Sequence, residues 1–336
     1  MTEQSVVRWG ILGAARINER LLPAIVAAKN AQLVAIASRR PNAAAETLDK
    51  HAPQLEGVLT LDDPEALLNN PDIDAIYLPM ANEEHAEWAI KAIEQGKHVL
   101  IEKPMTLDVA EIELIEQAAI KHNVHVMEGF MYIFHPQHDA VAELIESGAI
   151  GEVRTVRTIF SFPMKPARLY RVNRDIDNGG GAMWDIGPYA IHTARHWFKT
   201  EPLGVTALAN LNEHGADISL SGVLDYGNGK FAQFDMSFER ARRSEYEIIG
   251  TLGGIKCETV WNNPTDLPNI TWWTDAGEQH QLTLPAANHF DLEIEHFSDC
   301  VLNDKPVRLS FDDAKSNCKT IQAALKAAKT GMRVEV

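Results

Sequence analysis

The feature that most constrains this chain is a regular alternation of short apolar runs with helical runs over its first 130 residues. Two of the helical runs are Ala43 to His51 and Leu107 to His122. Strands that alternate with helices form parallel sheets, because each parallel connection must cross the sheet. We therefore expect an α/β protein that begins with a Rossmann domain, a doubly wound parallel sheet that binds ligands at the carboxyl ends of its strands.

The residues at the ends of these apolar runs have the chemistry of a binding site. They are Ser38, Met80, Asn82, Lys103 and Glu128. Because the carboxyl ends of parallel strands meet at one edge of a sheet, the five side chains are expected to lie near one crevice. This coincidence is the strongest indication of function that the residues alone provide.

The first apolar run leads directly into a turn and then into a helical stretch from Glu19 to Lys29. Strand, turn and helix are the context of the dinucleotide fingerprint G-x-G-x-x-G, whose glycine positions fall here on Gly13, Ala15 and Asn18. Only the first is glycine, so packing at Asn18 must differ from the usual pattern. An ordinary strand-to-helix turn is the alternative. The predicted cofactor turn comprises Gly13, Ala14, Ala15, Arg16 and Ile17.

The second apolar run ends in Ser38-Arg39-Arg40, with no acidic residue between Leu33 and Asn42. An NAD site commonly places an acid near this distance from the fingerprint to bind the ribose 2'-hydroxyl. A hydroxyl and two guanidinium groups suit a 2'-phosphate instead, through charge-assisted hydrogen bonds. The segment therefore favours NADP over NAD, and a solvated arginine pair is the alternative.

Beyond Gly148, seven strand-like runs follow one another with one helix, Ala182 to Phe198, among them, before a final helix from Asp312 to Lys329. Successive strands of this kind indicate a large open, mainly antiparallel sheet in a C-terminal α/β domain. We predict an NADP-binding Rossmann domain over residues 1–125 and a substrate-binding and oligomerisation domain over 126–336. Packing of the C-terminal helix back on the first domain is left open as an alternative.

The chain has 336 residues and a net charge of -16, which disfavours nucleic acid and anionic membranes as partners. Three widely spaced cysteines form neither a disulfide framework nor a metal motif, and His135 and His138 lack further ligands at suitable spacing. No apolar run has the length of a membrane span, and the first residues lack the pattern of a signal peptide. We expect a cytoplasmic protein without a metal.

Five motifs together resemble the glucose–fructose oxidoreductase and inositol dehydrogenase (Gfo/Idh/MocA) family over nearly the whole chain. They are the Gly13 turn, Leu78-Pro79-Met80-Ala81-Asn82 with His85, Glu102-Lys103-Pro104, Glu128-Gly129-Phe130-Met131-Tyr132 with His135-Pro136, and Gly179-Gly180-Gly181 followed by Asp185-Ile186-Gly187-Pro188-Tyr189. The resemblance implies a Rossmann domain and a second domain whose sheet forms a homodimer or homotetramer. In this family the peptide bond at the position of Lys103–Pro104 is often cis.

Members of this family that oxidise inositol carry histidine where this chain has Tyr189. A tyrosine there resembles the branch that contains dimeric dihydrodiol dehydrogenases, NADP-dependent sugar dehydrogenases and ketosugar reductases. Hydride transfer at a carbinol carbon needs a proton acceptor on oxygen, and we assign this role to Tyr189. A phenol has a reference pKa of about 10, which the ammonium of Lys103 would lower. Asp185 precedes Tyr189 by four residues, so on one helix both are expected to lie on the same face. Asp185 would orient Lys103 or bind a substrate hydroxyl.

The remaining candidates are assigned by their place in the motifs. Predicted contacts of the cofactor include Met80, Asn82, His85 and Glu102 besides the two segments above, and predicted contacts of the substrate are Glu128, Tyr132, Phe162, Arg174, Trp184 and Asp185. We therefore expect an NADP-dependent oxidoreductase acting on a sugar, ketosugar or vicinal diol. Two alternatives stay open: a sugar–sugar oxidoreductase whose NADP does not dissociate, and a non-enzymatic NADP-binding regulator.

Overall fold

The computed structural model describes residues 5–261 and 267–336. The chain forms two compact units. One comprises Met1–Phe134 with Asn288–Lys315, and the other comprises His135–Ala287 with Ser316–Val336. The domain boundary at residue 125 stays a prediction, and of the N-terminal residues used for the signal-peptide argument, 1–4 lie outside the described ranges.

The strands are β1 Val7–Leu12, β2 Ala31–Ala37, β3 Leu59–Leu61, β4 Ala75–Leu78, β5 His98–Glu102, β6 Val126–Gly129, β7 Val153–Ser161, β8 Gly204–Leu211, β9 Asp217–Asp225, β10 Phe231–Ser237, β11 Arg243–Gly250, β12 Gly253–Glu258, β13 Asn269–Thr274, β14 Gln279–Leu282 and β15 Val334–Glu335. The α-helices are α1 Asn18–Ala27, α2 Ala43–His51, α3 Pro64–Leu68, α4 His85–Glu94, α5 Val109–His122, α6 Pro136–Glu146, α7 Ala182–Asp185, α8 Gly187–Phe198, α9 His289–Asn303 and α10 Phe311–Thr330. Short 3-10 helices span Asn82–Glu84, Met131–Phe134, Pro166–Val172 and Ile176–Asn178.

The first unit contains a six-stranded parallel sheet in the order β3-β2-β1-β4-β5-β6. This is the strand order of a dinucleotide-binding Rossmann sheet, so the predicted fold class is confirmed. Helix α9, which is distant in sequence, belongs to the same unit. The ring of Trp9 on β1 lies 5.5 Å from that of Phe297 on α9, and its Nε1–H donates to Ser298 Oγ at 3.1 Å.

The second unit contains a nine-stranded sheet in the order β14-β13-β12-β11-β7-β10-β9-β8-β15. Its strands pair antiparallel except for β7 and β10, which are parallel, as the prediction of a large, mainly antiparallel sheet requires. Gly227, Asn228 and Gly229, in the turn between β9 and β10, have positive φ. This explains why the turn consists of glycine and asparagine. Within the described ranges, no helix combines the length and the apolar character that crossing a bilayer requires.

The prediction of one continuous helix from Ala182 to Phe198 is wrong. Helix α7 ends at Asp185, and α8 begins at Gly187 after Ile186, whose φ of -117° departs from the regular α-helical value. Pro188 in the first turn of α8 has no N–H to donate to the preceding turn, so the break is local in origin. Asp185 and Tyr189 therefore do not share a helix face. Helices α6 and α9 and strands β14 and β15 were missed altogether.

Candidate active site

The turn after β1 has space beside its glycine. Gly13 has a φ of +142°, and a Cβ atom built there would meet nothing closer than Pro79 Cγ at 3.6 Å. The Asn18 side chain, fully buried, donates from Nδ2 to the Gly13 carbonyl at 2.9 Å. At the third fingerprint position a hydrogen bond thus replaces the close helix–strand contact of a glycine, which accounts for the departure from the usual motif.

The segment after β2 contacts this turn through one of its two arginines. Arg40 donates from Nη2 to the Ala14 carbonyl at 2.7 Å, and its backbone N–H donates to Ser38 Oγ at 3.2 Å. Arg39 forms an ion pair with Glu84, on the 3-10 helix that follows β4. The fold therefore brings Ser38, Arg40 and the Gly13 turn together, whereas Arg39 already has an acidic partner.

His85 holds the backbone of the two loops that follow β4 and β5. It is completely buried, and Nδ1 lies 3.0 Å from the Pro104 carbonyl while Nε2 lies 3.1 Å from the Met80 carbonyl. Burial lowers the pKa of its imidazole, and the hydrogen bonds to the two carbonyls act in the opposite direction. The Lys103–Pro104 bond is cis, as the resemblance implies. His85 thus joins the loop that starts at Met80 to the loop that carries Lys103.

Two carboxylates hold the same segment from other sides. Glu128, buried at the end of β6, accepts the Met105 backbone N–H at 2.7 Å through Oε1. Glu102 accepts the Lys103 backbone N–H at 3.2 Å through Oε2 and the Tyr77 hydroxyl through Oε1. The backbone around Lys103 is therefore fixed before any ligand binds, which is the preorganisation that catalysis needs.

A further buried acid, Glu293 on α9, lies beneath this segment. A Cβ atom built on Gly129 would lie 3.6 Å from Glu102 Cα and 3.8 Å from Glu293 Oε1. Burial, and secondly the charge of Glu102, raise the pKa of Glu293 well above its usual range. Because α9 was missed, so was Glu293, although the apolar residues Phe290, Ile294 and Phe297 repeat there at helical spacing.

In the second unit, Tyr189 and Asp185 lie in the segment that follows the triple glycine. Tyr189 lies in the first turn of α8 and is 7% exposed, and its ring is 5.8 Å from that of Phe160 and 6.3 Å from that of Trp261. Asp185 forms an ion pair with Arg171, from the 3-10 helix Pro166–Val172. The sequence did not predict this pairing of Arg171 with Asp185.

The other predicted substrate contacts occupy varied environments. Trp184 is buried and donates from Nε1 to the Ile176 carbonyl at 2.8 Å, and Phe162 has the guanidinium groups of Arg168 and Arg242 within 5.5 Å of its ring centroid. Tyr132 is buried, and Arg174 is exposed. Direct contacts of all these residues with a ligand stay predictions.

The first unit therefore assembles a set of groups suited to a dinucleotide. Gly13, Ser38 and Arg40 fit a phosphate-bearing cofactor, because the turn leaves space for close approach and a guanidinium group lies against it. Met80 and Asn82, half-buried after β4, border the same edge of the sheet. Among residues 5–261 and 267–336, no three His, Cys, Asp or Glu side chains converge as a metal site.

Comparison with known proteins identifies the family. Residues 7–130 match the model of an oxidoreductase family with an NAD-binding Rossmann fold, and residues 138–256 match a GFO/IDH/MocA C-terminal domain. D-xylose 1-dehydrogenase (NADP(+)) 2 of Haloferax volcanii is 32% identical, over 98% of this chain and 99% of that protein. Trans-1,2-dihydrobenzene-1,2-diol dehydrogenase of Xenopus tropicalis is 28% identical, over 95% of this chain and 97% of that protein.

A solved structure with the same architecture is that of KijD10, a 3-ketoreductase from Actinomadura kijaniata, in complex with NADP and TDP-benzene. It matches with a TM-score of 0.87 and 31% identity, over 97% of this chain and 98% of that one. The strand order of the first sheet, the fixed Glu102-Lys103-Pro104 segment and these matches lead to one conclusion. The chain is an oxidoreductase of the Gfo/Idh/MocA family.

Proposed function

We propose that this protein is an NADP-dependent oxidoreductase that transfers hydride between the nicotinamide and a carbinol or carbonyl carbon of a sugar, ketosugar or vicinal diol. The observation that carries the proposal is the fixed backbone around Lys103, which His85 and Glu128 hold at the carboxyl edge of a Rossmann sheet. The relatives support the substrate class, since they are named as a xylose dehydrogenase, a dihydrodiol dehydrogenase and a 3-ketoreductase crystallised with NADP.

The residues proposed to hold the cofactor are those of the Gly13 turn, Ser38, Arg39, Arg40, Met80, Asn82, His85 and Glu102. Arg40 lies against the Ala14 carbonyl, so its guanidinium is available next to the turn for a 2'-phosphate. Arg39 would exchange Glu84 for that phosphate. His85 lies too deep for a large contact area and serves mainly to hold Met80 and Pro104.

NADP, when bound, supplies or accepts the hydride. In the proposed reaction the Tyr189 phenol gives a proton to the substrate oxygen during reduction and takes it back during oxidation. The Lys103 ammonium donates a hydrogen bond to the same oxygen and stabilises negative charge that develops there. Asp185, paired with Arg171, orients Lys103 or binds a neighbouring hydroxyl of the substrate.

The proposal is tested by removing the two reacting groups separately. Tyr189→Phe keeps the aromatic ring and removes the hydroxyl. Lys103→Met keeps most of the length of the side chain and removes its charge. We expect each variant to lower kcat by roughly 100- to 10,000-fold with D-xylose, D-glucose or trans-dihydrobenzenediol as substrate. Tyr226→Phe, which alters a tyrosine of the same unit that is as buried as Tyr189, is the matched control. Full activity of Tyr189→Phe would refute the assignment.

Cofactor preference is tested by fluorescence titration with NADPH and NADH side by side. We expect NADPH to bind at least about tenfold more tightly, a difference of about 1.4 kcal/mol, and Arg40→Gln to remove most of that difference. Arg20→Gln, which alters an exposed arginine on α1, should leave the preference unchanged. Equal affinities in the unaltered protein would contradict NADP as the cofactor.

The same preparation separates the two alternatives. Reduced nucleotide that stays on the protein through purification and is oxidised by an added sugar would indicate a sugar–sugar oxidoreductase. Tight binding of NADPH without turnover of any sugar, ketone or diol in a broad panel would indicate a regulator.

We also propose that the protein is cytoplasmic and forms a homodimer or homotetramer through the nine-stranded sheet. Two apolar side chains of that sheet, Leu208 on β8 and Phe231 on β10, are 76% and 42% exposed in the single chain. Exposed apolar residues on one sheet suit burial against a second copy. Leu208→Glu should shift the mass measured by light scattering towards that of one chain.

A further inference from the structure

Asp217, the first residue of β9, is a completely buried carboxyl group to which sequence reasoning assigned no role. It belongs to the same unit as Tyr189 and lies far from it in sequence. Burial raises the pKa of Asp217 to about 7, and hydrogen bonds from the backbone of Met183, Asp217 and Ala182 act in the opposite direction. The carboxyl group is thus strongly desolvated and is held by backbone N–H groups.

The contacts of Asp217 are with the start of α7. Its Oδ2 accepts the Met183 backbone N–H at 2.8 Å. Its Oδ1 lies so close to Gly181 that a Cβ atom built there, at a φ of +103°, would overlap it. Glycine is therefore required at position 181 by a carboxyl group of the same chain. The neighbouring Gly180 is enclosed in the same way by the Arg174 carbonyl.

The segment that Asp217 holds is also held from its other side. The Gly181 N–H donates to the Arg171 carbonyl at 3.0 Å, and the Arg171 guanidinium pairs with Asp185 at the end of α7. Asp217 and Arg171 thus fix the beginning and the end of α7, from which the chain passes through Ile186 into α8 and Tyr189.

Such a carboxyl group costs stability. Within the described ranges no lysine, arginine or histidine forms an ion pair with Asp217. Burial of an ionised carboxylate without a cation is strongly unfavourable unless hydrogen bonds compensate for it. Costly buried groups of this kind are retained where the geometry that they enforce has a use.

We infer that Asp217 is a positioning residue for the proposed reaction: its carboxylate fixes the start of α7 and thereby the placement of Asp185 and Tyr189. The inference rests on the proposed role of Tyr189. In the proposed reaction Asp217 touches neither substrate nor cofactor and acts only through the segment from Gly181 to Tyr189.

The test compares Asp217→Asn, which keeps one acceptor oxygen, with Asp225→Asn as a matched control. Asp225 lies at the other end of β9, and its Oδ1 likewise accepts a backbone N–H, that of Gly227 at 2.8 Å. With D-xylose and NADP, or the fastest substrate of the panel, we expect Asp217→Asn to lower kcat by roughly 10- to 100-fold. The Kd for NADPH should change by less than about twofold, because the turn that we propose to bind it belongs to the other unit.

Two further readouts separate positioning from general destabilisation. In the double variant Asp217→Asn/Tyr189→Phe, the two losses in kcat should not multiply, because the part of the Asp217 effect that acts through the Tyr189 hydroxyl is already lost in Tyr189→Phe. Hydrogen exchange of the amides of residues 182–189 should be at least about tenfold faster in Asp217→Asn and unchanged in Asp225→Asn. If Asp217→Asn does not fold, Asp217→Ser replaces it in all three measurements.

The outcomes distinguish this inference from the proposed function. An inactive Tyr189→Phe together with a fully active Asp217→Asn would overturn the inference alone, as would multiplicative losses in the double variant. A fully active Tyr189→Phe would overturn the proposed function and the inference with it.

Discussion

The two glycine turns of this protein differ in what surrounds them. Beside Gly13, in the Rossmann unit, the nearest protein atom to the place a methyl group would take is Pro79 Cγ at 3.6 Å, an ordinary contact distance. Beside Gly181, in the second unit, the corresponding position is already occupied by the Asp217 carboxylate. Both glycines have positive φ, so backbone conformation alone does not distinguish them.

The difference shows two reasons for glycine in a motif. At Gly13 the missing side chain leaves space at the surface of the turn, which suits the close approach of a phosphate. At Gly181 it permits two parts of the same unit to approach each other. The triple glycine, which as a sequence motif suggested either a flexible turn or the approach of a cofactor, is packed at Gly180 and Gly181 against the chain itself.

The largest expected effect is that of Gly181→Ala, which places a methyl group against the Asp217 carboxylate. Backbone strain and overpacking together should lower the free energy of unfolding by about 3 kcal/mol or more. Gly277 has a φ of +90° and no atom within 4 Å of the place of a methyl group, so Gly277→Ala introduces backbone strain without overpacking. This variant should lower the free energy of unfolding by only about 1–2 kcal/mol. Urea unfolding measures both, and equal losses would show that the Gly181 turn is not closed.

The second effect is an opposite dependence of stability on pH in the two units. Burial, and secondly His125, lower the pKa of His98 on β5 to about 4, whereas burial raises that of Asp217 to about 7. A lowered histidine pKa means that stability is lost as pH falls from about 6.5 to 4. A raised aspartate pKa means that stability is lost as pH rises from about 4 to 7. The shift of His98 corresponds to about 3 kcal/mol and that of Asp217 to about 4 kcal/mol, on the order of 1.4 kcal/mol for each pKa unit.

Single variants separate these opposed contributions. Relative to the unaltered protein, His98→Gln should lose less stability on acidification. Glutamine can still accept a hydrogen bond from the backbone N–H of His125, and it does not become charged. Asp217→Asn should lose less stability between pH 4 and about 7, because the amide does not ionise. Unfolding midpoints measured across this range check both, and parallel curves for all three proteins would contradict the assignment of these groups.

The smallest expected effect on stability is that of Gly13→Ala. The turn has space for the methyl group, so only backbone strain of about 1–2 kcal/mol is expected. NADPH binding should nevertheless weaken by about tenfold or more, because the methyl group fills space that we propose the phosphates approach. Gly57→Ala, at a φ of +77° with open surroundings in the same unit, should show the strain without the loss of affinity.

Prediction from the sequence was most successful for functional residues that directly follow one apolar strand. The turn at Gly13, the polar groups after β2 and the lysine after β5 each occur within a few residues of a buried run, so strand pattern and residue type locate them together. His85 was predicted only as a cofactor contact, because its partners, the Met80 and Pro104 carbonyls, come from two different loops. Whether a histidine binds a ligand or holds the backbone depends on such contacts.

Sequence reasoning failed where a contact joins distant segments. Nothing local to Asp217 indicates that it accepts the Met183 N–H, and nothing local to Glu293 places it beneath Gly129. The break at Ile186 was also missed, although Pro188 was a signal for it, because the apolar pattern continues through the break. The shared helix face predicted for Asp185 and Tyr189 was wrong for the same reason.

The sequence by itself determined the fold class, the edge of the first sheet at which ligands are expected, and the residue types offered there. It could do so because strand alternation and the polar residues that end each strand are local properties of the chain. Only the tertiary structure decided that α9 completes the first unit, that His85 and Glu128 fix the Lys103 segment, and that Asp217 occupies the space beside Gly181. These contacts depend on the packing of segments far apart in sequence, which no local pattern encodes.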